Sequence, residues 1–398
     1  MNIYLFIYLF LLFFAFLEIS NIPSKVRRLL YIIITFIFVF VAGLRYETGV
    51  DWLAYKDYFD ETIPLNEAFT SNSFGNVFLK LDIGYSLLNS IVKMLGGNIQ
   101  HIFFIISITS TVLLIKNLKY YSTHVLTALL IYYPFFFFIF DMSGLRQGLA
   151  IQIVLFSVRY ISEKNFGKFL FFILLATSIH WTAIILLPLY IFANKKVSVK
   201  STVFLFVVSV VVFTFKIKWL GAILGDLIGQ LNAYTTLSNK LNVYTTSEIF
   251  SIERGWDLFS VYNFIRITLI IFFTHLFKDR ISKSVPSFTI LYNFVLLELI
   301  CMFCLFEFFE ISERLRFYFT IAEVILLSHI IFVLKNHIMR IFALIILAFG
   351  VFLNAYPFLL ELPSTVAYHP YQNYLIYTLF DLNSDGYSRL QEHKASHD

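Results

Sequence analysis

Long uninterrupted apolar runs are the feature that most constrains what this chain can fold into. The clearest include residues 29–44, 99–115, 287–306 and 338–356. A helix needs about 20 apolar residues to cross the hydrocarbon core of a bilayer, which is about 30 Å thick. Because 59% of the 398 residues are apolar and only 14% are charged, the chain cannot cover a water-facing surface with polar groups. We therefore expect an all-α, polytopic bundle of transmembrane helices.

The apolar runs predict about twelve spans and a single integral membrane domain over residues 1–398. The predicted spans are 3–19, 29–44, 99–115, 125–140, 147–161, 168–179, 181–193, 202–215, 261–277, 287–306, 317–334 and 338–356. The pair 168–179 and 181–193 is also compatible with one long helix or with a hairpin that does not fully span. No Lys or Arg precedes the first run, so we expect it to be a retained span and not a signal peptide.

Lysine and arginine in alternate connections predict the orientation of the spans. These residues are Lys25, Arg27, Arg28, Lys116, Lys119, Lys164, Lys168, Lys195, Lys196, Lys200, Lys278, Arg280, Lys283, Lys335 and Arg340. The positive-inside rule makes these connections cytoplasmic, so both termini are predicted outside. The alternation requires two passes in 168–193 and none in 83–95, which is predicted to be a re-entrant or interfacial helix. The predicted outer segments are loops 45–82, 216–260 and 307–316 and the tail 357–398.

Polar residues from distant segments fall at this predicted outer face. They are Arg45, Asp51, Trp52 and Tyr55 after the second span, Arg146 at a helix start, His180 and Trp181 at a turn, Glu313, Arg314 and Arg316 before the eleventh span, and Tyr318 at the start of that span. If these segments converge, they line an anion-binding cavity. Arg146 is the sharpest candidate, because an arginine gains nothing from the dipole at a helix N-terminus. A bound phosphate could use both the guanidinium and the free backbone N–H groups there.

Each candidate also has an ordinary structural explanation. Arginine, tryptophan and tyrosine at span ends commonly anchor a protein at the bilayer interface. His180 is compatible with simple packing, and Asp51 with a solvated loop charge. Glu313, Arg314 and Arg316 are compatible with a surface salt-bridge set of small energetic value. Charges inside spans are costly in lipid, so Arg159, Arg266, Glu298 and Glu323 are expected to face the bundle interior.

Sequence motifs for a metal or a nucleotide are absent. The chain contains no HExxH, P-loop, GxSxG or DxD-type signature, and its two cysteines, Cys301 and Cys304, lie in one apolar run where they are expected to pack. The basic residues are scattered between apolar runs. We therefore expect no metal site, no cofactor and no nucleic-acid partner.

Several sequence blocks in a fixed order resemble one protein family. GLRYETGVDWLAYKDYF, then GLRQGLA with a later IHW, and then ERLRFYF extend over roughly residues 40–320, and YHPYQNYLI follows in the tail. Together they resemble the EpsG-like branch of the Wzy-type O-antigen and exopolysaccharide polymerases. The resemblance implies a multi-span, GT-C-like glycosyltransferase of the bacterial inner membrane whose active site faces the periplasm. It also implies undecaprenyl-diphosphate-linked oligosaccharides as substrates and a chain-length regulator as a protein partner.

Such a substrate would give the candidate residues definite roles without requiring a metal. Diphosphate binding would fall to Arg45, Arg146, Arg314 and Arg316, because bidentate arginine contacts stabilise a leaving diphosphate. A proton acceptor for the attacking hydroxyl would come from Asp51, His180 or Glu313. Sugar stacking would involve Trp52, Tyr55, Trp181 and Tyr318.

Three other functions fit parts of the pattern. An O-antigen ligase would share the arginines and the outer face. A polysaccharide flippase or transporter would instead place charges along a path at the bilayer midplane and show symmetric halves. A membrane acyltransferase finds support only in His180.

Overall fold

The computed structural model describes residues 2–70, 82–219 and 256–395, and these residues are helical apart from their connections. Most of the predicted outer loop 216–260 and part of the loop 45–82 lie outside the described residues. The chain divides into two compact units, one formed by Met1–Leu187 with Ile331–Asp398 and the other by Pro188–Ile330. The prediction of a single integral membrane domain over 1–398 stays a prediction.

The helices are numbered in chain order. Up to Leu187 they are α1 (Ile3–Ile19), α2 (Ser24–Gly43), α3 (Trp52–Glu61), α4 (Leu65–Thr70), α5 (Ile83–Met94), α6 (Ile99–Tyr121), α7 (Val125–Tyr132), which continues as a π-helix (Tyr133–Asp141), α8 (Leu145–Ser162), α9 (Phe166–Ile179) and a 3-10 helix (Trp181–Leu186). From there the described helices are α10 (Leu189–Phe192), α11 (Val199–Thr214), α12 (Leu258–Leu276), α13 (Lys278–Ser284), α14 (Phe288–Cys304), α15 (Phe309–Val333), α16 (His337–Leu359), a 3-10 helix (Pro363–Tyr368), α17 (Tyr374–Leu379) and α18 (Gly386–Ala395).

Five described helices are long and apolar enough to cross a membrane. These spans are Ser24–Gly43, Ile99–Tyr121, Phe259–Leu276, Ile311–Val333 and His337–Leu359. A sixth arises if α13 and α14 count as one broken span, with a bend of 119° between them. Shorter apolar helices include α1, α9 and α11. The helices indicate a multi-pass membrane protein, whereas the count of twelve spans stays a prediction.

Large apolar side chains point away from the protein along these helices. Phe13, Phe36 and Phe349 are 55%, 58% and 62% exposed. Soluble monomers rarely leave extended apolar faces uncovered. These exposed rings are suited to contact with lipid chains.

Hydrogen bonds in the first unit bring the predicted outer ends of its helices together. The side chain of Asn2, just before α1, donates to the carbonyls of Phe358 and Leu359 at the end of α16, at 2.8 and 3.0 Å. At the opposite end of α1, the Glu18 carboxylate accepts from the backbone N–H groups of Leu126 and Thr127 at the start of α7. The beginning of α1 and the end of α16 therefore share one end of the unit, as the predicted orientation requires.

The C-terminal tail docks on the loop that follows α2. Arg45 and Asn373 form an isolated antiparallel bridge. The N–H of Tyr46 donates to Gln372 at 2.8 Å, and that of Gly49 donates to Ala367 at 2.9 Å. This pairing keeps the loop after α2 and the tail at the same end of the unit.

Two further segments singled out by the sequence are helical in the structure. Residues 307–316 were expected to form an outer loop, but α15 already begins at Phe309. An i,i+3 ion pair between Glu313 and Arg316 supports the extra helical turns. The helix predicted at 83–95 is present as α5, whose inward face carries polar residues such as Ser86 and Asn89. Whether α5 enters the membrane stays a prediction.

Candidate functional site

Arg45 is a completely buried cation at the end of α2. One terminal nitrogen donates to the carbonyl of Ala42 at 2.5 Å, and the guanidinium lies 4.2 Å above the ring of Phe103. Its Nε and Nη2 groups are buried without a hydrogen-bond partner among the described residues. Burial lowers the pKa of Arg45 to about 10, so the group remains charged at neutral pH. Because buried N–H groups that lack partners are costly, this geometry is suited to receiving an anion.

Arg146 is the second residue of α8 and is held by a carboxylate. Its guanidinium donates to Asp82 at 2.6 Å, and the other oxygen of Asp82 accepts from the backbone N–H of Trp181 at 2.8 Å. Asp82 thus joins the start of α8 to the turn after α9. The carboxylate fixes the position of the arginine but leaves about a third of that side chain accessible.

Two tyrosines lie against Arg146. The guanidinium is 5.7 Å from the ring centre of Tyr55 and 5.3 Å from that of Tyr85. Tyr55 also packs edge-on against Phe103, the ring over which the guanidinium of Arg45 lies. Burial, together with the charge of Asp51, raises the pKa of Tyr55. Tyr55 therefore lies beside Arg146 directly and is linked to Arg45 through the ring of Phe103.

Asp51 directly precedes α3, and its backbone carbonyl accepts from the N–H of Tyr55 at 3.1 Å. Together with burial, the negative charge of Asp51 raises the pKa of Tyr55 and of Tyr368. The hydroxyl of Tyr368 lies 2.7 Å from that of Ser143, which in turn accepts from the backbone N–H of Val50 at 3.1 Å. The tail and the loop before α8 thereby hold the segment that carries Asp51.

Two motif glycines allow this close approach of segments. Gly49 has a φ of +101°, and a Cβ atom there would lie 2.3 Å from the carbonyl oxygen of Met142. A Cβ atom at Gly148 would lie 2.8 Å from the Cβ atom of Phe140 in the π-helix. Only glycine satisfies both the left-handed backbone and the missing space at position 49.

His180 and Trp181 lie at the same end of the first unit. His180 is buried and ends α9, and Trp181 opens the 3-10 helix whose N–H bonds Asp82. The structure therefore brings together the predicted residues Arg45, Asp51, Trp52, Tyr55, Arg146, His180 and Trp181. Asp82 was missed by the sequence analysis, although its place directly before the polar helix 83–94 was a usable signal.

The remaining predicted residues belong to the second unit and are described separately. Arg316 forms a bidentate ion pair with Glu313, at 3.0 and 2.5 Å, and lies 3.6 Å from Glu298. Arg314 is half-buried, and Tyr318 is fully buried. Because Arg316 is only 5% exposed, the pair is not the surface salt bridge that the sequence left open.

Glu298 extends this cluster to Arg266, which also pairs with Glu323. The expectation that Arg266, Glu298 and Glu323 face the interior is confirmed by their burial. Arg159, in the first unit, is half-buried and stacks on Tyr120 with a separation of 4.3 Å. These ion pairs offset the cost of placing charges within apolar helices.

A comparison with known protein families finds one match. The model of the EpsG family matches residues 28–373 of the chain, which include both arginines, Asp51 and the docked part of the tail. No curated protein and no solved structure matches the chain.

Proposed function

The chain belongs to the EpsG family, and from that premise we propose that it is a polysaccharide polymerase of the bacterial inner membrane. Its substrates are proposed to be oligosaccharide repeat units carried on undecaprenyl diphosphate, joined at the periplasmic face. Proposed partners are these lipid-linked sugars, the surrounding membrane lipid and a chain-length regulator protein. A metal-independent, GT-C-like mechanism is part of the same proposal.

The proposed reaction transfers a growing chain to the next repeat unit. A sugar hydroxyl of the acceptor attacks the anomeric carbon of the donor chain, and a new glycosidic C–O bond forms. The bond between that carbon and the diphosphate oxygen breaks, and undecaprenyl diphosphate leaves with the electron pair. The hydroxyl proton passes to a base on the protein.

One observation carries the proposal: Arg146 lies 5.7 Å from the ring centre of Tyr55, and Arg45 lies over the ring of Phe103, which packs edge-on against the same tyrosine. A leaving diphosphate gains negative charge as its bond to the sugar breaks, and fixed guanidinium groups stabilise that charge. Arg45 has two buried N–H groups without partners among the described residues, and Arg146 is held in place by Asp82. Arg45 would bind a phosphate directly, while Arg146 would add a second contact from its accessible side.

Asp51 is the base that this arrangement favours. It lies on the same short loop as Arg45 and directly precedes α3, the helix that carries Tyr55. A carboxylate near the arginines would accept the proton late in the transfer and stabilise the positive charge on the reacting sugar. His180 is the alternative base within the first unit. Glu313, Arg314, Arg316 and Tyr318 are proposed as a second set of substrate contacts.

The test uses a bacterium that lacks its own copy of the gene. Wild type, Arg45→Lys, Arg146→Lys and the control Arg159→Lys are expressed, and the polysaccharide ladder is compared at equal membrane abundance. Arg159 is a matched control because it lies near Asn117, toward the other end of the first unit. We expect long chains from wild type and the control, and single repeat units from the other two variants.

Three outcomes would decide against parts of the proposal. Normal ladders from Arg45→Lys and Arg146→Lys would contradict the diphosphate assignment. Identical ladders with and without wild type would reject polymerisation and favour transport. Loss of all attached polysaccharide in the deletion strain, single repeats included, would identify a ligase.

A further inference from the structure

A cavity of about 270 Å³ lies beside the arginines in the first unit. It is bounded by the loop after α2, by α3, by the beginning of α6 and by Tyr374 of the tail. Its walls include the rings of Trp52, Phe59 and Phe103, which are 5%, 4% and 3% exposed. The cavity is thus a formed recess with rigid aromatic walls.

The walls of the cavity also contain polar groups. The indole Nε1 of Trp52 is buried and has no hydrogen-bond partner among the described residues. Asn98 and Gln100 also line the cavity, and the side chain of Gln100 is fixed by a 2.8 Å bond to the carbonyl of Gly43. Aromatic walls with a few placed donors and acceptors are typical of small-molecule sites. An unpartnered buried donor is a group that a ligand would satisfy.

Phe103 connects the cavity to the proposed diphosphate site. Phe103 lines the cavity, and the guanidinium of Arg45 lies 4.2 Å from the centre of its ring. Tyr55, which lies beside Arg146, contacts the same ring at 6.2 Å between centroids. A group bound in the cavity would therefore be a close neighbour of a diphosphate bound at Arg45.

The charges around the cavity select the type of ligand. Lys56 lines it and pairs with Asp60 at 2.8 Å, and Glu47 adds a second carboxylate. Among the residues that line the cavity, two carboxylates outnumber one ammonium, and Arg45 is not part of the lining, so we expect an acidic sugar to bind less well there. An uncharged sugar ring satisfies all the features, because its C–H faces stack on aromatic rings and its hydroxyls accept from the indole N–H.

We propose that this cavity is a subsite for a neutral sugar ring, with Trp52 as the donor that orients it. The biological meaning of this subsite rests on the proposed function. The subsite extends that function by placing a repeat-unit sugar next to the leaving diphosphate. Binding itself can be measured without catalysis.

The experiment is ¹⁹F NMR on the full chain in lipid nanodiscs, labelled with 5-fluorotryptophan. The chain has four tryptophans, and Trp52→Phe assigns the signal of Trp52. The probes are the methyl glycosides of glucose, galactose and N-acetylglucosamine, with the methyl glycoside of glucuronic acid as the charged comparison. We expect at least one neutral glycoside to shift the Trp52 signal in a saturable way, the glucuronoside to shift it much less, and the other three signals to stay unchanged.

A second variant tests the effect of cavity charge on sugar binding, and it does so even if Trp52→Phe does not fold. Asp60→Asn changes an exposed side chain and removes one of the two carboxylates. It should increase the shift caused by the glucuronoside and leave the shifts caused by neutral sugars unchanged. It leaves all four tryptophans in place.

The outcomes separate this proposal from the function. The subsite is rejected if no neutral glycoside shifts one tryptophan signal selectively. Equal shifts from the glucuronoside would overturn the preference for neutral sugars. If the sugars shift Trp52 but the polysaccharide ladder does not depend on the protein, the subsite stands and the polymerase proposal fails.

Discussion

Asp82 holds Arg146 in place through an ion pair of 2.6 Å between their side chains. The carboxylate is fixed in turn by the backbone N–H of Trp181. The arginine is thus supported by a segment that precedes it by 64 residues. Positioning of this kind decides whether a guanidinium meets a substrate with the correct geometry.

Asp82→Asn should reduce polymer length while the protein remains in the membrane. The amide can keep the bond to Trp181 but not the charge that holds Arg146, so we expect about a tenfold loss of activity, or about 1.4 kcal/mol. Asp279→Asn is the control, because it changes an exposed carboxylate of α13 outside the first unit. A normal ladder from Asp82→Asn would show that the ion pair does not position Arg146 for function.

Arg45→Met should raise stability and remove activity together. The substitution eliminates two buried N–H groups without partners among the described residues, at the cost of the bond to Ala42 and of the stacking on Phe103. We expect a net gain of about 1 kcal/mol in the free energy of unfolding. Thermal unfolding in detergent and the ladder assay measure the two effects. Lower stability would mean that Arg45 serves mainly to hold the end of α2.

Gly49→Ala should destabilise the loop after α2 more than a matched glycine change. At Gly49 the new Cβ would meet the carbonyl of Met142, whereas at Gly96, with a φ of +75°, no atom lies within 4 Å of it. Gly96→Ala should cost about 1–2 kcal/mol from backbone strain alone. Gly49→Ala should cost clearly more and should lower membrane abundance. Equal losses for the two variants would rule out the steric argument.

Glu18→Gln should lower stability without changing the activity of each folded molecule. The carboxylate accepts from two backbone N–H groups at the start of α7 and from the Thr127 hydroxyl at 2.8 Å. An amide replaces one acceptor oxygen with a donor, so a loss of about 1–3 kcal/mol is expected. Glu18 is far along α1 from the proposed site, and a loss of polymer greater than the loss of membrane abundance would contradict this separation.

Acidification should loosen the docked tail through His369. Burial lowers the pKa of His369 in the folded protein, whereas in the unfolded chain it is about 6.5. Below that value the unfolded chain binds more protons, so stability falls as the pH falls. His369→Gln should flatten the decline in unfolding temperature between about pH 7 and pH 5. His337→Gln, at an exposed position, is the control and should leave the decline unchanged.

The sequence predicted the helical class, because apolar runs report helices directly. The structure brings several of the candidate polar residues together in the first unit, whereas their roles stay predictions. The orientation derived from the charges of the connections also stays a prediction, and the bond between Asn2 and the end of α16 agrees with it. Asp82 was not predicted because a single aspartate before a helix is common. Its importance depends on contacts with Arg146 and Trp181 that form only in the folded chain. The cavity beside Trp52 likewise depends on α3, α6 and the tail meeting, which no local pattern encodes.

The pairing of the tail with the loop after α2 sets an order of assembly. Gln372 and Thr48 meet although 324 positions separate them along the chain, so the segment with Arg45 and Asp51 must wait until residue 372 has left the ribosome. The loop after α2 then acquires its final shape only after the helices that precede residue 372 have been made. A chain cut before this residue would therefore keep its apolar helices while the loop that carries Arg45 and Asp51 lacked its docking partner.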